Sequence, residues 1–233
     1  MGCPHYLAKT GAEFRLEDGS DRPAAWMACH FSPYGTGLSS LPRKLPPETL
    51  LMVDDITPIH GHDFGFIGEQ LKERVEALKC GGVLLDFQRP GYPECEDLAR
   101  HLSQVLPCPV CVSSLYAKAL HTPVLLPPVP CSVSPEVYLK DWKGREIWLE
   151  TALDGEEFTI TEAGAAFSPL PRFSPAEGGF SEDHLFCHYK AEVSESEVTF
   201  TLWRTREDLE RLLEEAEHLG VTLALGLYQE WKT

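Results

Sequence analysis

The chain has 233 residues, of which 43% are hydrophobic and 24% charged, a composition typical of a folded globular protein that excludes a largely disordered one. Its formal net charge of −16, without a basic stripe in the sequence, argues against binding to nucleic acid or to anionic membranes. The first residues contain no basic segment followed by an apolar run, so we expect no signal peptide, no membrane span and a cytoplasmic location.

Eight short apolar runs are predicted as β-strands. Their apolar residues are continuous rather than alternating, which is typical of parallel strands that are covered on both faces. The predicted strands are Ala25–Phe31, Leu50–Asp55, Gly82–Gln88, Val110–Ser114, Val124–Pro127, Glu146–Thr151, Val198–Trp203 and Val221–Leu227.

Helical patterns lie between several of these strands. We predict helices over Phe66–Lys79 and Glu94–Leu106, a short helix from Ser134 to Trp142, and a helix that begins at Thr205. Eight strands with at least four helices indicate an α/β fold, and specifically a compact (β/α)8 TIM barrel.

One stretch, Asp154–Glu197, departs from this alternation. It contains two hairpin-like strands on either side of a loop rich in Pro, Gly and Ser, Phe167–Asp183. We predict a single barrel domain over residues 1–233, in which residues 154–197 form an insertion before the seventh strand that lies over one barrel mouth. The alternative is an antiparallel edge on an open sheet.

The segment Gly81–Pro90 ends an apolar strand with Asp86 and Gln88, whose side chains point to the same face of the strand. Barrel enzymes carry their chemistry at the carboxyl ends of such strands. The segment resembles the signature of the family-18 glycoside hydrolases, the chitinase-like TIM barrels, whose pattern is Asp-x-x-Asp-x-Asp-x-Glu. In this chain the four acidic positions fall on Gly81, Leu84, Asp86 and Gln88.

The resemblance implies a cleft that binds carbohydrate. It also implies substrate-assisted hydrolysis, in which the acetamido group of the sugar is the nucleophile, an Asp orients that group and a Glu protonates the leaving oxygen. Asp86 stands at the position of that Asp, whereas Gln88 stands at the position of the Glu and has no carboxylic proton to donate. Asp86 is thus a candidate catalytic residue and Gln88 a candidate ligand-binding residue. Alternatively, both side chains only satisfy backbone groups.

Acids at other predicted strand ends could replace the missing proton donor. Glu150 ends one strand and could supply the proton. The alternative interpretation is that Glu150 is an ordinary exposed glutamate at a strand end. Asp54 and Asp55 end another strand, and one of the two faces the barrel mouth in either register. We therefore consider Glu150 and Asp55 as candidate catalytic acids and Asp54 as a ligand-binding residue. His30, at the end of an earlier strand, is either part of the cleft or a core histidine.

Three aromatic residues are predicted to line the cleft. Tyr116 follows the fourth predicted strand, and Tyr228 and Trp231 follow the last one. The resemblance supports the last of these, because the family-18 barrels place a tryptophan near the end of their final strand.

A His-x-His sequence, His60 to His62, follows Asp55 and suits zinc, manganese or iron. The alternative, which we favour, is a solvated loop in which Asp63 caps the next helix. We expect no cofactor, and the Cys-x-x-Cys pair Cys108 and Cys111 is predicted to consist of buried structural thiols.

Three classes of function remain: a glycoside hydrolase with a relocated acid, a non-catalytic lectin-like barrel, and a metal-dependent hydrolase. The expected partner is a carbohydrate or another polar small molecule.

Overall fold

The computed structural model describes residues 2–15, 22–170 and 179–231. Within these ranges the chain forms fourteen strands, five α-helices and two short 3-10 helices, Glu13–Arg15 and Lys140–Trp142. The strands are β1 (His5–Lys9), β2 (Ala24–Phe31), β3 (Leu38–Ser39), β4 (Leu50–Asp54), β5 (Gly82–Asp86), β6 (Val110–Ser113), β7 (Val124–Leu126), β8 (Ile147–Thr151), β9 (Gly155–Thr161), β10 (Gly164–Leu170), β11 (Phe180–Glu182), β12 (Cys187–Val193), β13 (Glu197–Trp203) and β14 (Val221–Leu227). The helices are α1 (Phe64–Leu78), α2 (Pro93–Val105), α3 (Pro135–Leu139), α4 (Arg206–His218) and α5 (Tyr228–Trp231).

The chain divides into two compact units, of which one consists of Pro4–Pro127, Arg145–Glu150 and Thr222–Thr233. Its strands follow the order β1-β14-β8-β7-β6-β5-β4-β2, and β2 pairs with β1, so the sheet closes into an eight-stranded barrel. Every barrel pair with a resolved register is parallel. The prediction of a compact (β/α)8 barrel is therefore confirmed.

Both faces of the barrel strands are buried. Inward-facing residues such as Met52, Leu84 and Trp148 form one core cluster inside the barrel. The residues between them, such as Val53 and Leu85, point to the outer face and are also fully buried. This double burial explains why the strands appear in the sequence as continuous apolar runs.

The loop that carries His60 and His62 leads into α1 through a side-chain cap. Asp63 accepts a hydrogen bond from the backbone N–H of Phe66 at 3.0 Å, which satisfies one of the free donors at the start of the helix. The predicted capping role of Asp63 is confirmed.

The other compact unit consists of Met1–Cys3, Pro128–Gly144 and Thr151–Val221. It contains an antiparallel sheet with the order β10-β9-β13-β12-β11, together with α3 and α4. The guanidinium of the buried Arg204 donates hydrogen bonds to four backbone carbonyls on two chain segments. These belong to Val129 and Pro130 on one segment and to Leu185 and Phe186 on the other.

The strand predicted as the seventh of the barrel was assigned wrongly. Val198–Trp203 lies in β13 of the antiparallel sheet, and the missing barrel strand is β1. In Val198–Trp203, threonines alternate with larger apolar residues, a pattern typical of an antiparallel strand with one covered face. The antiparallel sheet therefore follows the seventh barrel strand, β8, rather than preceding it. The predicted position over a barrel mouth stays a prediction, and residues 171–178 of the predicted loop lie outside the described residues.

Across the described ranges, no helix has both the length and the apolar character needed to cross a bilayer.

The Arg204 network predicts a specific loss of stability. In Arg204→Lys, a compact ammonium replaces the planar guanidinium and leaves buried carbonyls without a donor, each at a cost of about 1–3 kcal/mol. We expect the free energy of unfolding, measured by urea denaturation, to fall by roughly 3 kcal/mol. Arg211→Lys is the control, because the Arg211 side chain is 40% exposed and pairs with the exposed Asp183, so this variant should change stability much less. Equal losses in the two variants would contradict the assigned role.

Candidate active site

Three polar side chains stand in one row across neighbouring barrel strands, at the carboxyl ends. His30 on β2 is in register with Asp54 on β4, and Asp54 is in register with Asp86 on β5. Each acid follows an inward-facing core residue by two positions, Asp54 after Met52 and Asp86 after Leu84. Since residues two apart in a strand share a face, both carboxyl groups point into the barrel mouth.

His30 reaches this row through an irregularity in β2. The register with β4 shifts by one residue between Trp26 and Cys29, so that His30 rather than Cys29 lies opposite Asp54. Such bulges redirect side chains and are frequent next to active sites. The His30 Nδ1 atom lies 2.6 Å from Asp54 Oδ2, and the other oxygen of Asp54 accepts a hydrogen bond from the Ile56 N–H at 3.1 Å.

Glu150 joins the same mouth from β8. It follows Trp148 by two residues, and Trp148 packs in the interior cluster with Leu84 and Met52. Burial raises the pKa of the Glu150 carboxyl to about 7, and the nearby charge of Asp86 contributes to the shift. The structure thus directs Asp54, Asp86 and Glu150 into the same mouth, and burial together with the charge of Asp86 favours the protonated form of Glu150.

Asp86 has a mixed environment. Burial raises the pKa of its carboxyl above the ordinary range, a hydrogen bond from the Gln88 side-chain amide opposes this rise, and the charges of Asp54 and Asp55 reinforce it. Gln88 itself is exposed. Its amide therefore orients the Asp86 carboxyl and still has contact with solvent, where a ligand can reach it.

Asp55 and Tyr116 lie beneath this surface and hold the loop after β5. Asp55 is 5% exposed, and its two oxygens accept hydrogen bonds from the N–H groups of Gln88 at 3.1 Å and Arg89 at 2.8 Å. The Tyr116 hydroxyl donates to the Arg89 carbonyl and accepts from the Tyr92 N–H. These hydrogen bonds are to backbone groups, which favours a positioning role over the acid role considered for Asp55 and the ligand-lining role considered for Tyr116.

Sequence reasoning missed one contributor to this loop, Ser113. Its hydroxyl donates to the Phe87 carbonyl at 2.6 Å, and the serine is buried at the end of β6. The sequence signal that could have identified Ser113 is its position at the end of an apolar strand.

His60 and His62 are not brought to the row of acids. His60 is exposed, with its Nδ1 3.3 Å from Glu94 Oε1. Both ring nitrogens of His62 face backbone carbonyls, those of Ile59 at 2.7 Å and Ser32 at 3.1 Å. Among the residues that the structure describes, no three His, Cys, Asp or Glu side chains are grouped so as to hold a metal ion.

Tyr228 follows β14 directly at the carboxyl end of the barrel strands, whereas Trp231 lies apart from the row. Tyr228 is buried, and the Lys9 ammonium sits 4.6 Å from the centre of its ring. Trp231 packs edge-on against His5 at 4.5 Å and beneath the Arg22 guanidinium at 4.4 Å. His5 begins β1, at the opposite end of the strand from the carboxyl-end row.

Comparison with known proteins places this geometry in a structural context. Neither a protein-family profile nor a curated protein sequence matches the chain. Solved structures do match, and one is a chitinase from Chromobacterium violaceum, with a TM-score of 0.58 and 10% identity over 99% of this chain and 95% of that one. The chain has the family-18 chitinase fold. At this identity the similarity shows the fold alone.

Two further structures with this fold differ in what their names describe. A doubly substituted GH18 chitinase from Cycas revoluta, in complex with (GlcNAc)4, matches with a TM-score of 0.56 and 11% identity over 95% of this chain and 94% of that one. A chitinase-like agglutinin from Robinia pseudoacacia matches with a TM-score of 0.51 and 11% identity over 98% and 95%. The fold that the segment Gly81–Pro90 predicts is thus confirmed, and it occurs in both a chitinase and an agglutinin.

The raised pKa of Glu150 predicts a pH-dependent stability difference. A carboxyl that holds its proton more tightly in the folded state stabilises the fold at low pH, and this contribution is lost as the pH rises through about 7. The shift corresponds to about 3 kcal/mol. Because Gln cannot ionise, Glu150→Gln should gain about 3 kcal/mol relative to the wild type between pH 4 and pH 8, as measured by urea denaturation.

The control for this prediction is Glu192→Gln, which removes an exposed glutamate from β12. Its stability relative to the wild type should change little over the same pH range. A flat difference for Glu150→Gln would show that Glu150 ionises in the folded protein as it does in water.

Proposed function

We propose that the barrel binds an N-acetylated oligosaccharide at the carboxyl ends of its strands and hydrolyses it, with Glu150 as the acid. The observation that carries this proposal is that strand alternation directs the carboxyl groups of Glu150 and Asp86 into one mouth, where burial and the charge of Asp86 raise the pKa of Glu150 to about 7. A general acid works best when its pKa lies near the working pH. Enzymes commonly place two carboxyl groups in different environments, so that one acts as an acid and the other takes a second catalytic role.

Each residue then has a defined task. Asp86, oriented by the amide of Gln88, is placed to hydrogen-bond the acetamido group of the sugar, whose oxygen attacks the anomeric carbon. Glu150 protonates the leaving glycosidic oxygen, and the carboxylate that results takes a proton back from the water that completes hydrolysis. Asp54 is held by His30 and the Ile56 N–H and supplies negative charge beside Asp86.

The match to known folds supports a carbohydrate as the ligand. The Cycas revoluta chitinase was solved with (GlcNAc)4, and related structures of that chitinase contain (GlcNAc)3 and allosamidin. A polar mouth lined by carboxyl, amide and imidazole groups suits a ligand with many hydroxyls.

The eight cysteines are all free thiols, which supports a reducing compartment such as the cytoplasm as the place of action.

The test compares two substrates that differ in their need for an acid. Chitotetraose has a poor leaving group that must be protonated, whereas a 4-methylumbelliferyl chitobioside releases a phenol that needs little protonation. We expect Glu150→Gln to lose about 10²–10⁴-fold in kcat on chitotetraose and much less on the aryl glycoside. The control is Glu146→Gln, because Glu146 precedes the same strand and a Gln there can still accept the bond from Trp148 Nε1. Equal losses on both substrates would argue against Glu150 as the acid.

The second candidate function is a non-catalytic lectin-like barrel, and Gln88 is the observation that favours it. The amide occupies the family's acid position, and the Robinia pseudoacacia protein of the same fold is named an agglutinin. Such a barrel binds chitotetraose without cleaving it at any pH.

Gln88→Glu separates the two functions. If the site has only lost its acid, restoring a carboxyl next to Asp86 should create or raise hydrolysis by about 10²-fold or more. If Glu150 already supplies the proton, a second carboxyl should change kcat by less than about tenfold, since it adds only a charge near Asp86. Chitotetraose binding by calorimetry in the wild type and in Asp86→Asn is measured alongside, and absence of binding in the wild type would overturn both functions.

A further inference from the structure

The antiparallel-sheet unit carries a pocket of its own, with a volume of about 500 Å³. Its lining is dominated by aromatic and aliphatic side chains, and Glu182 contributes a carboxylate. The main lining residues are Phe158, Phe167, Tyr189, Phe200, Leu202 and Glu182. Pockets for small molecules have about this size and this mostly apolar character.

The aromatic rings form a continuous row across the sheet. Phe158 lies opposite Phe167 on one neighbouring strand and opposite Phe200 on the other, with ring centroids 4.8 and 6.5 Å away. Tyr189 continues the row at 6.4 Å from Phe200. Phe167 is 56% exposed, so the end of the row is open to solvent. Exposing such a row to water is unfavourable, and a bound apolar ring removes that cost.

The chain segments beside the pocket are held in place by partly buried hydrogen bonds. The Glu156 carboxylate accepts hydrogen bonds from the N–H groups of Cys131 at 3.0 Å and Ser132 at 3.2 Å. Arg204 holds the carbonyls of Leu185 and Phe186. The pocket therefore has its shape before a ligand arrives, and binding does not have to order these segments.

The lining also indicates the chemistry of the ligand. A sugar presents several hydroxyls that each need a polar partner, and apart from Glu182 the polar side-chain groups of this lining are the hydroxyls of Ser132 and Tyr189 and the Cys187 thiol, against six apolar side chains. Glu182 is half-buried, accepts one hydrogen bond from the His184 N–H at 3.3 Å, and makes no ion pair within the part of the chain that the structure describes. A carboxylate beside aromatic faces favours a cation.

We propose that this pocket binds an apolar, ring-containing molecule that carries one positive charge. This site differs from the carboxyl-end row in residues and in ligand class, and it stands whether or not the barrel hydrolyses sugars.

The first experiment tests the apolar site in the full-length protein with the neutral fluorescent probe N-phenyl-1-naphthylamine. We expect saturable binding, and Phe167→Ala should weaken it at least fivefold. Tyr34→Ala is the matched control, because Tyr34 is a 98% exposed aromatic residue that lies outside the antiparallel-sheet unit and does not line the pocket. It should change the affinity by less than twofold. Absence of saturable binding, or equal effects of the two variants, would overturn the site.

The second experiment tests the charge preference by displacing the probe with two ligands of the same ring system. We expect 2-naphthylmethylamine to displace the probe at a concentration at least fivefold lower than 2-naphthoate. Glu182→Gln should remove that difference while the neutral probe binds as before. An amine advantage that persists in Glu182→Gln, or a preference for the carboxylate, would reject the cationic class of ligand.

Discussion

The alternation of side chains in the closed sheet is the constraint on which the candidate site depends. Interior residues such as Met52, Leu84 and Trp148 fill the barrel, and the next inward-facing position on each of their strands lies above that core. In this chain those positions hold Asp54, Asp86 and Glu150. If the register of these strands slipped by one residue, the fully buried outward-facing residues would point into the barrel and the acids would point toward the helices. The packing of the core therefore fixes where the acids point.

The three carboxyl groups in the barrel mouth have different sets of partners. His30 and a backbone N–H contact Asp54, and an amide contacts Asp86. At Glu150, burial and the charge of Asp86 act in the same direction and favour the protonated form. Asp86 and Glu150 therefore have different environments, which is the condition for dividing acid and anion roles among residues of the same type.

The sequence predicted the acids at the strand ends because continuous apolar runs define parallel strands with little ambiguity. β4, β5 and β8 were found in this way, and Asp54, Asp86 and Glu150 came with them. The contact between His30 and Asp54 could not be predicted from the sequence, because it depends on a one-residue bulge in β2 that does not alter the apolar pattern.

Two errors have local causes of a different kind. Strand β1 is only five residues long and mixes polar with apolar residues, so it did not stand out, and Val198–Trp203 took its place in the count of eight. Trp231 follows the last strand closely in sequence, but it is the last residue of the single-turn helix α5, and its ring packs on His5. Proximity in sequence to a strand end was not sufficient to place it in the mouth.

The loop after β5 is held almost entirely by its neighbours. Asp55, Ser113 and Tyr116 bind its backbone N–H and carbonyl groups, and none of these bonds uses the side chain of Gln88. The backbone position of residue 88 is thus independent of the residue found there. A single-base change in the gene can therefore exchange an amide for an acid at this point while the loop stays folded, so the chemistry of this position can vary along a path of folded proteins.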